Sequence, residues 1–197
     1  GNIALIRASN AQNQGVLADT VRYAELSLQF IPEDDVYLRA QAAITLGFTH
    51  WATGNLEDSL QAMYAWIEDM QRLGNEEFVI ASAFAVADMQ VELGRLSDAE
   101  KFLRQAIEKA TALGRGVESG TAHHHLGLAL LAHEYNDDKA SAEHLHAAGD
   151  LGKSSTLVDW SYRWNLAQAR LKESAREWEA ALKFFDEAGA AKFASAP

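Results

Sequence analysis

Over residues 39–63, RAQAAITLGFTHWATGNLEDSLQAM, small and apolar side chains recur at i, i+3, i+4 and i+7. That period predicts one amphipathic helix up to Thr53 and a second from Leu56, with Gly54-Asn55 breaking the pattern between them. A glycine just past a last turn can adopt the left-handed conformation that satisfies helix-end carbonyls. The stretch therefore predicts a helical hairpin, and the chain copies it. Taking the turn residue of each hairpin as a pivot, with an apolar or small residue two and five positions on, the pivots are Gly15, Gly54, Gly94, Asn136 and Arg176. Their spacings are 39, 40, 42 and 40 residues. Periods of this size mark solenoids, in which no helix pair can bury its apolar face alone and each stacks on its neighbours. The predicted fold is all-α, a right-handed superhelix of antiparallel helix pairs with about five repeats, the first one partial.

Helices are predicted over 17–31, 35–53, 56–73, 76–93, 96–113, 120–133, 139–150, 156–172 and 178–188. Leu73-Gly74, Leu113-Gly114 and Leu151-Gly152 close second helices, and Pro32 follows the first of them. Asp138 stands where the other repeats favour leucine or another apolar residue, so this repeat is expected to pack least well. Residues 1–197 are expected to form a single repeat domain belonging to a larger protein.

Composition narrows the function. A hydrophobic content of 48% can build a core, and two prolines leave little to interrupt helices. There is no cysteine, hence no disulfide and no thiolate ligand. A formal charge of −11 argues against gripping nucleic-acid phosphates, and no salt-sensitive DNA affinity is expected. No apolar run approaches the roughly 20 residues of a membrane span, and no secretory signal opens the chain. The expectation is a soluble, cytoplasmic segment that does not touch membranes.

Candidate chemistry is sparse. Residues 147–154, AAGDLGKS, lie one residue from a phosphate-binding loop, with Ala147 in place of the first glycine. A true loop leaves a strand and enters a helix; this one leaves a helix and occupies an inter-repeat slot. His123, His124 and His125 point about 100° apart on a helix and cannot converge on one ion, and no metal site is expected. Asp34-Asp35 and Asp137-Asp138 sit in turns, where capping explains them better than acid–base chemistry. With no nucleophile–base pair to place, the chain is not expected to be an enzyme.

Leu46-Gly47, the pivot seven residues on, then Ser59, Met63 and Trp66 resemble the tetratricopeptide repeat, whose usual period of 34 residues is shorter. Longer phrases occur in an order similar to the helical middle region of MalT-like, ATP-dependent LuxR-type transcription regulators. They are IPEDD at 31–35, AITLG at 43–47, GRLSDAE at 94–100, HEYND at 133–137, HL at 144–145 with DLG at 150–152, and LAQARL at 166–171 leading to WEAAL at 178–182. The resemblance implies a segment that binds an inducer or a regulatory protein and controls self-association. It places a nucleotide-binding module before this region and a helix-turn-helix domain after it. ATP belongs to that preceding module, and this segment is expected to carry no cofactor.

First helices line the concave side of such a solenoid. The repeat register puts Gln41, Phe48, Trp51, Asp88, Glu92, His123, His133, Glu134, Arg163 and Arg170 there. Aromatic rings beside planar polar groups suit small-ligand or peptide recognition. Trp66 and Trp178 fall at bulky repeat positions and are expected to pack between helices. The alternative function is a tetratricopeptide-type adaptor that binds peptide segments of partner proteins.

Overall fold

The computed structural model describes residues 1–114, 120–153 and 159–194, the last three by backbone only. Among the described residues the regular structure is α-helix and no strand occurs. The chain divides into two compact units, Gly1–Arg95 and Leu96–Pro197.

The first unit contains α1 (Asn2–Asn13), α2 (Leu17–Phe30), α3 (Val36–Ala52), α4 (Leu56–Arg72), α5 (Glu76–Ala81) and α6 (Ala83–Glu92). The second contains α7 (Leu96–Ala112), α8 (Thr121–Glu134), α9 (Asp138–Gly152), α10 (Trp160–Ser174) and α11 (Trp178–Ala194). Consecutive helices pack as pairs: α1 on α2, α3 on α4, α8 on α9 and α10 on α11.

All five pivots turn the same way. Gly15, Gly54 and Gly94 have φ of 71°, 78° and 74°, while Asn136 and Arg176 are the non-glycine residues with positive φ among those described, at 57° and 60°. In each turn the following N–H closes on the carbonyl five residues back: Val16 on Ala11, Asn55 on His50, Arg95 on Gln90, Asp137 on Ala132 and Glu177 on Lys172, at 2.7–2.9 Å. This bond is the mark of a helix ended by a left-handed residue. Glycine adopts that conformation freely, whereas an L side chain pays roughly 1–2 kcal/mol for it.

The two helices of a pair meet where the repeat puts small residues. Ser59, five residues past its pivot, donates Oγ to the Gly47 carbonyl at 2.7 Å, and Ser141 donates to the Ala129 carbonyl at 2.9 Å. Both acceptors lie seven residues before their pivots. Gly47 leaves room for Met63, since a Cβ there would stand 2.8 Å from the Met63 sulfur. Gly127 receives Leu103 in the same manner. Asp35 and Asp137 cap α3 and α9 by accepting from the Leu38 and Ala140 amides at 3.2 and 3.0 Å.

Several boundaries differ from the sequence expectation. No clear apolar stripe marks α1 in the sequence, yet it packs on α2 and makes the first pair whole. The helix expected over 76–93 is interrupted at Ser82, whose hydroxyl bonds the Val79 carbonyl at 2.9 Å in competition with the backbone ladder. α9 begins at Asp138 and ends at Gly152, α10 begins at Trp160, and α11 runs on to Ala194. Thr156, the expected start of α10, lies outside the described residues. Trp66 is buried, but Trp178 is 58% exposed, because no described helix covers its face of α11.

Candidate functional site

In the first unit α3 presents one stripe away from the helices it packs against. Tyr37, Gln41, Ile44, Phe48 and Trp51 follow one another at steps of four and three, so they share a face. Tyr37 and Phe48 are exposed, Gln41 is exposed, and Ile44 and Trp51 are half-buried. The Phe48 and Trp51 rings stack, with centroids 6.5 Å apart and planes within 16°. The stripe extends about 21 Å at a rise of 1.5 Å per residue. On α6, Asp88 is half-buried and Glu92 is exposed at the helix end.

The second unit arranges its candidates differently. His123 does not line an open surface as the register suggested: it is buried, and its Nε2 donates to Asp159 Oδ1 at 3.3 Å. Asp159 immediately precedes α10 and also accepts from Arg163 Nε. One carboxylate thus joins two of the sequence-derived residues, a member that no sequence motif had marked. Burial would raise the Asp159 carboxyl, but the hydrogen bonds from His123 and Arg163 and the Arg163 charge outweigh it. The group is held well below the usual carboxylate range.

The neighbouring histidines point elsewhere. His124 is fully buried, and His125 Nδ1 lies 3.0 Å from His144 Nδ1 on α9. Burial, and then the His144 charge, push His125 down; burial and Arg104 push His144 down against the pull of Glu143 and Glu100. Two neutral rings can share that contact as one donor and one acceptor, whereas two protonated rings cannot.

His133 Nε2 and Ser174 Oγ are 2.9 Å apart, and the Ser174 hydroxyl donates to the Arg170 carbonyl at 3.0 Å. Where the serine proton goes to that carbonyl, the imidazole donates through Nε2. Glu134 and Arg170 are exposed. His133 and Glu134 line an open cleft of about 780 Å³ with Asn136, Asp138 and Ser174. Asp138, the odd residue of its repeat, therefore faces an open space where leucine would have to sit in water.

A second cleft, of about 620 Å³, runs between α9 and α10. Ala142 and Leu145 belong to both clefts, while Trp160 and Trp164 wall the second. Their indoles pack at 5.6 Å between centroids, and Trp160 meets His123 edge-on at 5.2 Å. They sit against the two glycines of AAGDLGKS, Trp164 over Gly149 and Trp160 over Gly152. Those glycines are helical, and their missing side chains make room for tryptophan; Ser154 of that stretch lies outside the described residues. The sequence signal for this contact is the spacing, glycines at i and i+3 facing tryptophans at i and i+4.

Left-handed pivots every 39–42 residues, small residues at the helix crossings and open polar–aromatic clefts define a tetratricopeptide-like helical-repeat protein, an architecture that mediates protein interactions. Residues 1–192 match the family described as the MalT-like TPR region, and the chain belongs to that family. BtubC (BKLC) from P. vanneervenii is similar in structure, with a TM-score of 0.68 at 15% identity over 95% of this chain and 77% of that one. A Podosopora anserina protein of the kinesin light chain kind, with nearly identical TPR-like repeats, gives 0.62 at 13% over 97% and 94%. MamA MSR-1 C2 gives 0.52 at 17% over 99% and 95%. At these identities the likeness is one of fold. No curated protein matches the chain.

Proposed function

We propose that this chain is the sensing and partner-binding segment of a transcription regulator, working by binding and not by turnover. Membership of the MalT-like TPR region family supports the regulator context. The observation that carries the recognition surface is the Phe48–Trp51 stack on α3, with Phe48 exposed and Trp51 half-buried, continued by Gln41 and Tyr37. Large rings left beside water on a well-packed helix are the side chains that dominate binding energies elsewhere. An inducer or a regulatory partner lying on this face changes contacts with flanking modules of the regulator or with another protomer.

Thermal-shift screening of sugars, other metabolites and peptides tests the reading, because selective binding to the native state raises apparent stability. A hit that binds α3 loses about tenfold in affinity with Trp51→Ala, about 1.4 kcal/mol. Hits whose affinity ignores both Phe48→Ala and Trp51→Ala remove recognition from this helix.

The adaptor alternative has its own support. Residues 1–95 hold thirteen acidic against five basic residues, a field that attracts a basic peptide. Binding of lysine- and arginine-rich peptides that weakens steeply with salt, with no metabolite hit, favours the adaptor.

A further inference from the structure

None of the residues lining the α9–α10 cleft belongs to the sequence-derived set or to α3. Its volume of about 620 Å³ falls within the range of small-molecule sites. Its walls are mostly apolar: Ala142, Leu145 and Gly149 from α9, Trp160 and Trp164 from α10. The glycines let the indoles close on α9 at one end, and beside them the hollow stays open.

The polar groups select against charge. At the mouth Asp150 accepts from Lys153 at 2.8 Å and lies 3.3 Å from His146 Nδ1. Lysine and aspartate are already matched to each other there, so an ionic ligand finds no unmatched charge to pair with, and a neutral one needs none. Gln168 on α10 adds an amide, which both donates and accepts. Indole faces and edges favour a flat partner in offset or edge-on contact.

We propose that this cleft binds an uncharged, planar ring compound carrying a hydrogen-bonding substituent, such as a hydroxylated or heteroaromatic bicycle. The ring lies against Trp164 and Trp160 over the Leu145 floor, and the substituent reaches Gln168.

The test uses 2-naphthol with the whole chain, followed by saturation-transfer NMR and calorimetry. 2-Naphthoate and 2-naphthylmethylammonium serve as charged counterparts, and decahydro-2-naphthol as the non-planar one. A dissociation constant on the order of 100 µM is expected, which asks of about eleven non-hydrogen atoms a per-atom efficiency above that of drug-sized ligands and well below the ceiling for very small ones. The charged and saturated compounds should bind at least fivefold more weakly. Ala142→Trp fills the cleft from an exposed position and should abolish binding while far-UV circular dichroism and melting stay native. Gln168→Leu should weaken binding about fivefold. Failure to saturate at millimolar 2-naphthol, undiminished binding by Ala142→Trp, or tighter binding of either ion overturns the proposal. Phe48→Ala should leave this binding unchanged, which separates its failure from that of the α3 reading.

Discussion

The indole of Trp160 occupies the place that a side chain on Gly152 would take. Glycine inside a helix ordinarily costs about 1 kcal/mol against alanine; Gly152 is the last residue of α9, so it exchanges only part of that propensity for the seat of a tryptophan. The same exchange recurs three residues earlier, where a Cβ on Gly149 would stand 2.9 Å from Trp164.

Gly152→Ala should therefore destabilise the protein by about 1–3 kcal/mol, the range for overpacking. Gly189 in α11 has nothing within 4 Å of its Cβ position, and Gly189→Ala should stabilise by about 0.5–1 kcal/mol. Urea denaturation of the two variants checks the opposite signs. In a Trp160→Leu background the Gly152→Ala penalty should vanish.

The pivots give a second test. Arg176 holds φ of 60° without being glycine. Arg176→Gly should stabilise by about 0.5–1 kcal/mol, the strain released less the extra freedom of the unfolded chain. Gly54→Ala should lose about 1 kcal/mol, since it acquires the same strain. Thermal melts of both variants decide it, and a melting point lowered by Arg176→Gly would contradict the account.

Two acid-sensitive windows follow from the second unit. His125 and His144 are lowered below the ordinary histidine value, so between their folded values and about 6.5 the unfolded chain binds more protons. Stability should be full above about pH 6.5 and fall as pH drops below it. His144→Gln should flatten that decline. Asp159 is lowered as well, so its contribution is present above the usual carboxylate range and fades as pH falls below about 4. Asp159→Asn should remove this second decline and leave the first. Melting temperature against pH for the three proteins separates them.

On α3, Leu46 is buried in a cluster with Ala8 and Ala24, while Trp51 is half-buried in its stack with Phe48. Leu46→Ala should cost about 2–5 kcal/mol by leaving a cavity, and Trp51→Ala clearly less. Equal losses in chemical denaturation would show that Trp51 serves the core and that the stripe is not there for a ligand.

The sequence by itself determined the helical class, the five pivots and the pairing of helices. Each rests on local chemistry repeated at a fixed period: an apolar stripe, a left-handed stop, a small residue five positions on. Asn136 and Arg176 show how far that reaches, since period alone located two left-handed turns that lack glycine. α1 escaped because its apolar residues form no stripe and only its packing on α2 makes it part of a pair.

Tertiary structure decided which side chains meet. A helical register cannot tell an open face from one that a later helix covers, so it points His123 at a surface although the residue lies buried against Asp159. Trp178 stands at a bulky repeat position and yet lies exposed. The α9–α10 cleft depends on two glycines and two tryptophans that approach only when separate helices are brought together. Such contacts are set by the distance and angle between helices, which no single helix encodes.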